Sequence, residues 1–132
     1  MRRQIRPTLV LVSLLLLGSG AAQEMAQPTS TFFEEAKITV NDRARADGYL
    51  RVRVTPEGGQ AREATIVTEK RMSENDIAKT LAEALKTAVA PDYEVDKDAG
   101  EHVKIRKAKR GTANFSVEIT FSSPGFAIIL DH

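Results

Sequence analysis

The densest chemistry-bearing stretch of this chain is Lys104, Arg106, Lys107, Lys109 and Arg110, five cations within seven residues. Such a run could meet an anionic polymer, a lipid headgroup or a nucleic acid. It also has a purely structural reading. Asp92, Glu94 and Asp96 lie on the segment just before it. An antiparallel hairpin closed by the loop Asp98-Ala99-Gly100 sets Val95 against Val103, Glu94 against Lys104, Asp92 against Arg106 and Asp96 against His102. Lys104 and Arg106 are then neutralised, and Lys107, Lys109 and Arg110 remain as a small exposed cluster. The structural reading is favoured. The five residues stand as the binding site of the anionic alternative.

Other chemistry is thinner. Asp96-Lys97-Asp98-Ala99-Gly100 resembles the start of an oxygen-ligand calcium loop, but the twelfth position counted from Asp96 is Lys107 rather than glutamate. The hairpin explains the same residues without a metal. His102 and His132 are the only histidines, one paired within the hairpin and one at the last position. A Ser-His-Asp set can be assembled formally, yet no nucleophile-elbow sequence is present. No carboxylate pair sits in the apolar context that would raise a pKa for glycoside hydrolysis. Gly58-Gly59 reads as a hairpin turn, because no helix follows it to complete a phosphate cradle. The chain has no cysteine, which excludes disulfides, thiolate zinc sites and cysteine nucleophiles. No catalytic residue, metal or cofactor is expected.

Location is more legible than chemistry. Arg2, Arg3 and Arg6 precede the uncharged run Thr8 to Gly18, and small residues follow at Gly20, Ala21 and Ala22. This order reads as a cleaved secretory signal over residues 1–22. The apolar run is about 11 residues, short of the ~20 that span a bilayer. The expected mature chain therefore begins near Gln23, is periplasmic or extracellular, and has no stable membrane insertion. Without Arg2, Arg3 and Arg6, the chain's 19 basic residues become 16 against 18 acidic, a net charge of about −2. A nucleic-acid partner is not expected. Tryptophan is absent, which weakens a carbohydrate-binding reading.

The remaining sequence organises as a flexible leader over 23–34 and one domain over 35–132. Ala36, Ile38 and Val40 alternate with polar residues, as do Leu50, Val52 and Val54; both read as half-buried strands. Ala64 to Thr68 returns as a third. Ser73 is a good N-cap, with Asp76 three residues on. Ile77, Leu81, Leu85 and Val89 then recur every four residues, widened by Ala78, Ala82, Ala84 and Ala88, until Pro91 ends the helix. The hairpin follows. Phe115, Val117, Ile119 and Phe121 alternate on a further strand. Phe126 to Leu130 is almost wholly apolar, which predicts a central or doubly covered strand. The expected fold is α+β, with the order β-β-β-α-β-β-β-β. One antiparallel sheet of about seven strands carries one amphipathic helix.

Asp76-Ile77-Ala78, Leu81-Ala82-Glu83-Ala84-Leu85, Val103-Lys104-Ile105, Gly111 and Phe115-Ser116-Val117 together resemble the hairpin–helix–hairpin module of phage tail sheath and related tail-like assembly proteins. The resemblance covers about half of the mature chain. It implies the α+β fold and a non-enzymatic assembly or binding role, and it carries over no site residues. The expected function is a small exported binding or assembly domain. Its partner is another protein or a second copy, met through an exposed strand edge. The alternatives are an exported hydrolase built from scattered residues, and a binder of anionic surfaces through residues 104–110.

Overall fold

The structure is a computed structural model that describes residues 31–123 and 127–132. The signal expected over 1–22, and the leader up to residue 30, lie outside the described residues. Residues Thr31–His132 form one compact unit.

Among the described residues, seven strands and one helix appear in the expected order: β1 (Glu35–Asn41), β2 (Gly48–Pro56), β3 (Arg62–Thr68), α1 (Glu74–Val89), β4 (Tyr93–Lys97), β5 (His102–Lys107), β6 (Phe115–Ser122) and β7 (Ala127–Asp131). Alternation places the faces as expected in β1 and β2, where Ala36, Ile38, Val40, Leu50, Val52 and Val54 are all buried. The helix buries Ile77, Ala78, Leu81, Ala82, Leu85 and Val89, and the Ser73 hydroxyl accepts the Asp76 N–H at 3.1 Å. A fully buried side chain such as Ile38 or Leu81 contributes about 1.5–3 kcal/mol. An exposed cross-strand ion pair contributes only about 0.2–1 kcal/mol. Core burial therefore holds this cysteine-free domain together.

The strands form two antiparallel sheets, β4-β5-β1-β7 and β3-β2-β6, rather than the single sheet expected. Alternation tells which face of a strand is buried, but it does not name the neighbour. β1 bypasses β2, the next strand in sequence, to pair with β5 and β7. The chain changes sheets between β6 and β7. Phe33 and Phe115 exchange backbone hydrogen bonds at 2.8 and 2.9 Å, and the Lys107 N–H donates to the Glu34 carbonyl at 3.3 Å. Phe33 and Glu34, assigned to the leader by sequence, thus belong to the folded unit. The helix packs chiefly on β3 and β4, with smaller contacts to β1 and β5, so it spans both sheets. Arg62 on β3 ties down its end, donating to the Val89 carbonyl at 3.1 Å and to Asp92 at 2.6 Å.

Two further expectations are corrected. The β4–β5 register is displaced by two residues, with Val95 opposite Ile105, Glu94 opposite Arg106 and Asp96 opposite Lys104. The loop shifts by one residue and closes with an Asp98 N–H to His102 carbonyl bond of 2.9 Å. Gly100 stays left-handed at φ 71°. Asp98 also accepts the Ala99 N–H on its own carboxylate at 2.8 Å, which fixes it as the residue entering the loop. An even slip keeps every side chain on its face and still brings acids against bases, so the pattern could not separate the two registers. β7 is not central either. It ends the four-stranded sheet, and none of its five residues is buried.

Candidate interaction surfaces

The structure divides the basic run. Lys104 and Arg106 point outward on β5, in a surface that mixes both signs and sets Lys104 opposite the like-charged Lys37. One row reads Asp96, Lys104, Lys37, Asp131 across β4, β5, β1 and β7; the next reads Glu94, Arg106, Glu35. Arg106 holds Glu94 at 3.2 Å and Asp96 at 3.1 Å. The Lys107 ammonium donates to the Asn114 side-chain oxygen at 2.9 Å. Lys109 and Arg110 are exposed in the β5–β6 connection. Arg106, Lys107, Lys109 and Arg110 border one open hollow whose other walls include Glu34 and Glu35. Lys104 borders a different one, with Lys37 and Asp131. Four of the five cations therefore gather, but beside two acids.

The remaining titratable groups are dispersed. His102 Nδ1 lies 2.9 Å from the Thr39 hydroxyl, so its partner is Thr39 and not Asp96. His132 stacks on Phe33 with ring centroids 3.6 Å apart. The backbone N–H of Arg43 lowers the pKa of Asp42, and that of Ala99 lowers the pKa of Asp98. Burial raises the phenol of Tyr93, which donates to the Ala113 carbonyl at 2.7 Å. Among the described residues, no group of three or more acidic or histidine side chains is placed to hold a metal.

The outer face of β3-β2-β6 carries something the sequence does not reveal. Along β6, Val117 and Ile119 stand opposite Val54 and Val52, but Arg51 stands opposite Phe121. Thr120 is therefore an extra residue, a β-bulge, and it reverses the faces beyond it. The Thr120 hydroxyl donates to the Arg51 carbonyl at 3.3 Å inside this irregularity. Phe121, expected in the core, emerges on the outside at 39% exposure. It stacks on Tyr49 with centroids 4.3 Å apart and planes 19° from parallel. Val67, opposite Tyr49 on β3, is 71% exposed. The Arg51 guanidinium carbon lies 5.6 Å from the centre of the Tyr49 ring.

This aromatic group stands on a rigid base. The Ser123 hydroxyl accepts the Tyr49 N–H at 2.7 Å and donates to the Tyr49 carbonyl at 3.0 Å. A Cβ on Gly48 would overlap the Ser123 hydroxyl, so glycine is what permits β2 and β6 to approach behind the stack. Further along the face, Arg53 bridges Glu63 on β3 at 2.9 Å and Glu118 on β6 at 3.4 Å. The Glu63 hydrogen bond raises the pKa of this guanidinium further. One end of the face is thus ionic and self-satisfied, while the other is aromatic and open. The alternation of β6 gave no warning, because it runs unbroken through Phe121. The available signal was Tyr49, an aromatic at an outward position of β2 where Arg51 and Arg53 follow.

An open cleft of about 590 Å³ leads from Val67 past Met72 to Lys79 and Glu83 on α1. It mixes Lys70, Arg71 and Lys79 with Glu69, Asp76 and Glu83, so neither sign dominates. Comparison with protein-family models and with curated proteins finds no match to this chain.

Proposed function

We propose that this chain is a small exported, non-enzymatic binding or assembly domain, and that a partner docks on Tyr49, Phe121 and Val67. The observation that carries the reading is the outward turn of Phe121. Fully burying a phenylalanine contributes about 1.5–3 kcal/mol, and an aromatic stack adds about 0.5–1.5 kcal/mol beyond burial. A fold that leaves this ring 39% exposed forgoes part of the burial term, which association can then recover. Exposed apolar groups gathered in one patch and rimmed by polar residues are the ordinary mark of an interaction site. Arg51 beside the stack adds a cation for an acidic group of the partner. The tail-sheath resemblance points to the same class of role.

The test is to recover the tagged mature chain gently from envelope extract and weigh it by size-exclusion chromatography with light scattering. A complex with a different protein is expected, and the double substitution Tyr49→Ser, Phe121→Ser should abolish retention of that protein while the fold survives. A strict monomer that retains nothing would contradict the proposal.

A further inference from the structure

We infer that two copies of this chain associate by pairing β7 with β7, antiparallel and centred on Ile129. This goes beyond the binding reading and uses a different surface. β7 closes one end of the four-stranded sheet, and β1 is its only strand partner among the described residues. Its inward side chains, Ile128 and Leu130, are only half-covered, and Ile129 is 46% exposed. Edge strands of natural sheets are usually guarded by lysine, proline, bulges or a covering element. The opposite edge, β4, has such guards: Glu94, Asp96 and Lys97 among its five residues, and α1 packed against it. β7 reads Ala-Ile-Ile-Leu-Asp, with one charge at its far end.

The same five residues are complementary to themselves. Centred on Ile129, the antiparallel pairing sets Ile129 against Ile129, Ile128 against Leu130 and Ala127 against Asp131. Directly opposed residues share a face, so this register keeps the inward pair of each copy facing the inward pair of the other. A one-residue slip would oppose inward to outward side chains, and a two-residue slip would lose pairs. The one charge meets an alanine, so no like charges oppose across the new ladder. Asp131 remains beside Lys37, its β1 partner. The product is a continuous eight-stranded sheet, β4-β5-β1-β7-β7-β1-β5-β4, that covers both half-open strands. A five-residue ladder buries little area, so the dimer is a weak one.

The absence of cysteine makes the test clean. Ile129→Cys introduces a single thiol that the two-fold axis brings to its own copy, with Cβ atoms about 4.5–5.5 Å apart, close to disulfide reach. Under a mild oxidant this variant should run as a covalent dimer on a non-reducing gel, while Val67→Cys, exposed on the other sheet, stays monomeric. Ile129→Lys, which opposes two cations across the axis, should shift the light-scattering mass from dimer to monomer with an unchanged circular dichroism spectrum. A chain that is monomeric at high micromolar concentration and does not cross-link through residue 129 overturns the pairing. So does faster cross-linking through residue 67, which would instead put the contact on the aromatic face. Loss of the residue-129 cross-link alone does not bear on whether a different protein binds Tyr49 and Phe121, which the envelope recovery experiment decides separately.

Discussion

On the outer face of the four-stranded sheet, side chains run Asp96, Lys104, Lys37, Asp131, and then Glu94, Arg106, Glu35. The outer face of the three-stranded sheet begins the same way, with Glu63, Arg53 and Glu118 across its strands. Further along β2 the pattern stops, and Tyr49, Phe121 and Val67 take the places where charges would stand. Both faces are built on the same period of two. Tyr49 and Val67 face outward by the alternation of their own strands, and one inserted residue, Thr120, adds Phe121 to them. Charge on this domain mostly satisfies neighbouring charge and keeps the surface wet. The aromatic end is where a side chain is withheld from the core.

Two phenylalanines on one strand sharpen that contrast most. Phe115 is fully buried and packs edge-on against Tyr93 at 4.8 Å. Phe115→Ala should cost about 3–5 kcal/mol in urea unfolding. Phe121→Ser should cost less, about 1.5–2.5 kcal/mol, since the ring is already 39% exposed and forfeits only its partial burial and the Tyr49 stack. Equal losses would mean that Phe121 is a core residue and that the bulge is not there.

The platform behind the stack comes next. Gly48→Ala should destabilise by about 1–3 kcal/mol, because the added methyl meets the Ser123 side chain. Combining it with Ser123→Gly should recover part of that loss, and a simple sum of the two effects would count against the close approach. Arg62→Ala, which removes the bond to the Val89 carbonyl and the pair with Asp92, should cost about 1 kcal/mol. Its loss should fray the end of α1 in hydrogen exchange and leave the aromatic face untouched.

The smallest effects are those of pH. Asp42 and Asp98 have folded pKa values below the ordinary 3.8 because backbone N–H groups hold their charged forms. The unfolded chain binds more protons there, so their contribution is complete above 3.8 and disappears as pH falls through the depressed values. Tyr93 behaves oppositely. Its phenol is raised above 10.0 by burial, so its contribution is intact below 10.0 and fades as pH climbs through the raised value. NMR titration of the three groups in the folded domain checks the directions. An Asp98 carboxyl titrating above 3.8 would mean that the Ala99 bond does not anchor the β4–β5 loop.

Much of the fold was readable because it is local. Ile77, Leu81, Leu85 and Val89 announce one face of a helix, and Ser73 and Pro91 bound it. Ala36-Ile38-Val40 and Leu50-Val52-Val54 announce buried strand faces. Partnership between strands is not local. Nothing in β1 says that it pairs with β5 and β7 in place of β2, and the two registers of the β4–β5 hairpin satisfy charge and burial alike. The apolar run Phe126 to Leu130 suggested a central strand because composition measures how apolar a strand is, not how many neighbours it has. The basic run was visible as five residues, but its neighbouring acids Glu34 and Glu35 come from the other end of the domain. Phe121 was hidden for the simplest reason: a bulge changes the period of the structure without changing the period of the sequence.

Whether Phe121 serves association rather than folding is decided by the amount of partner recovered with the folded Phe121→Ser variant from envelope extract. Recovery should collapse relative to the unaltered chain. Undiminished recovery by a folded variant would show that the exposed ring is not what the partner holds.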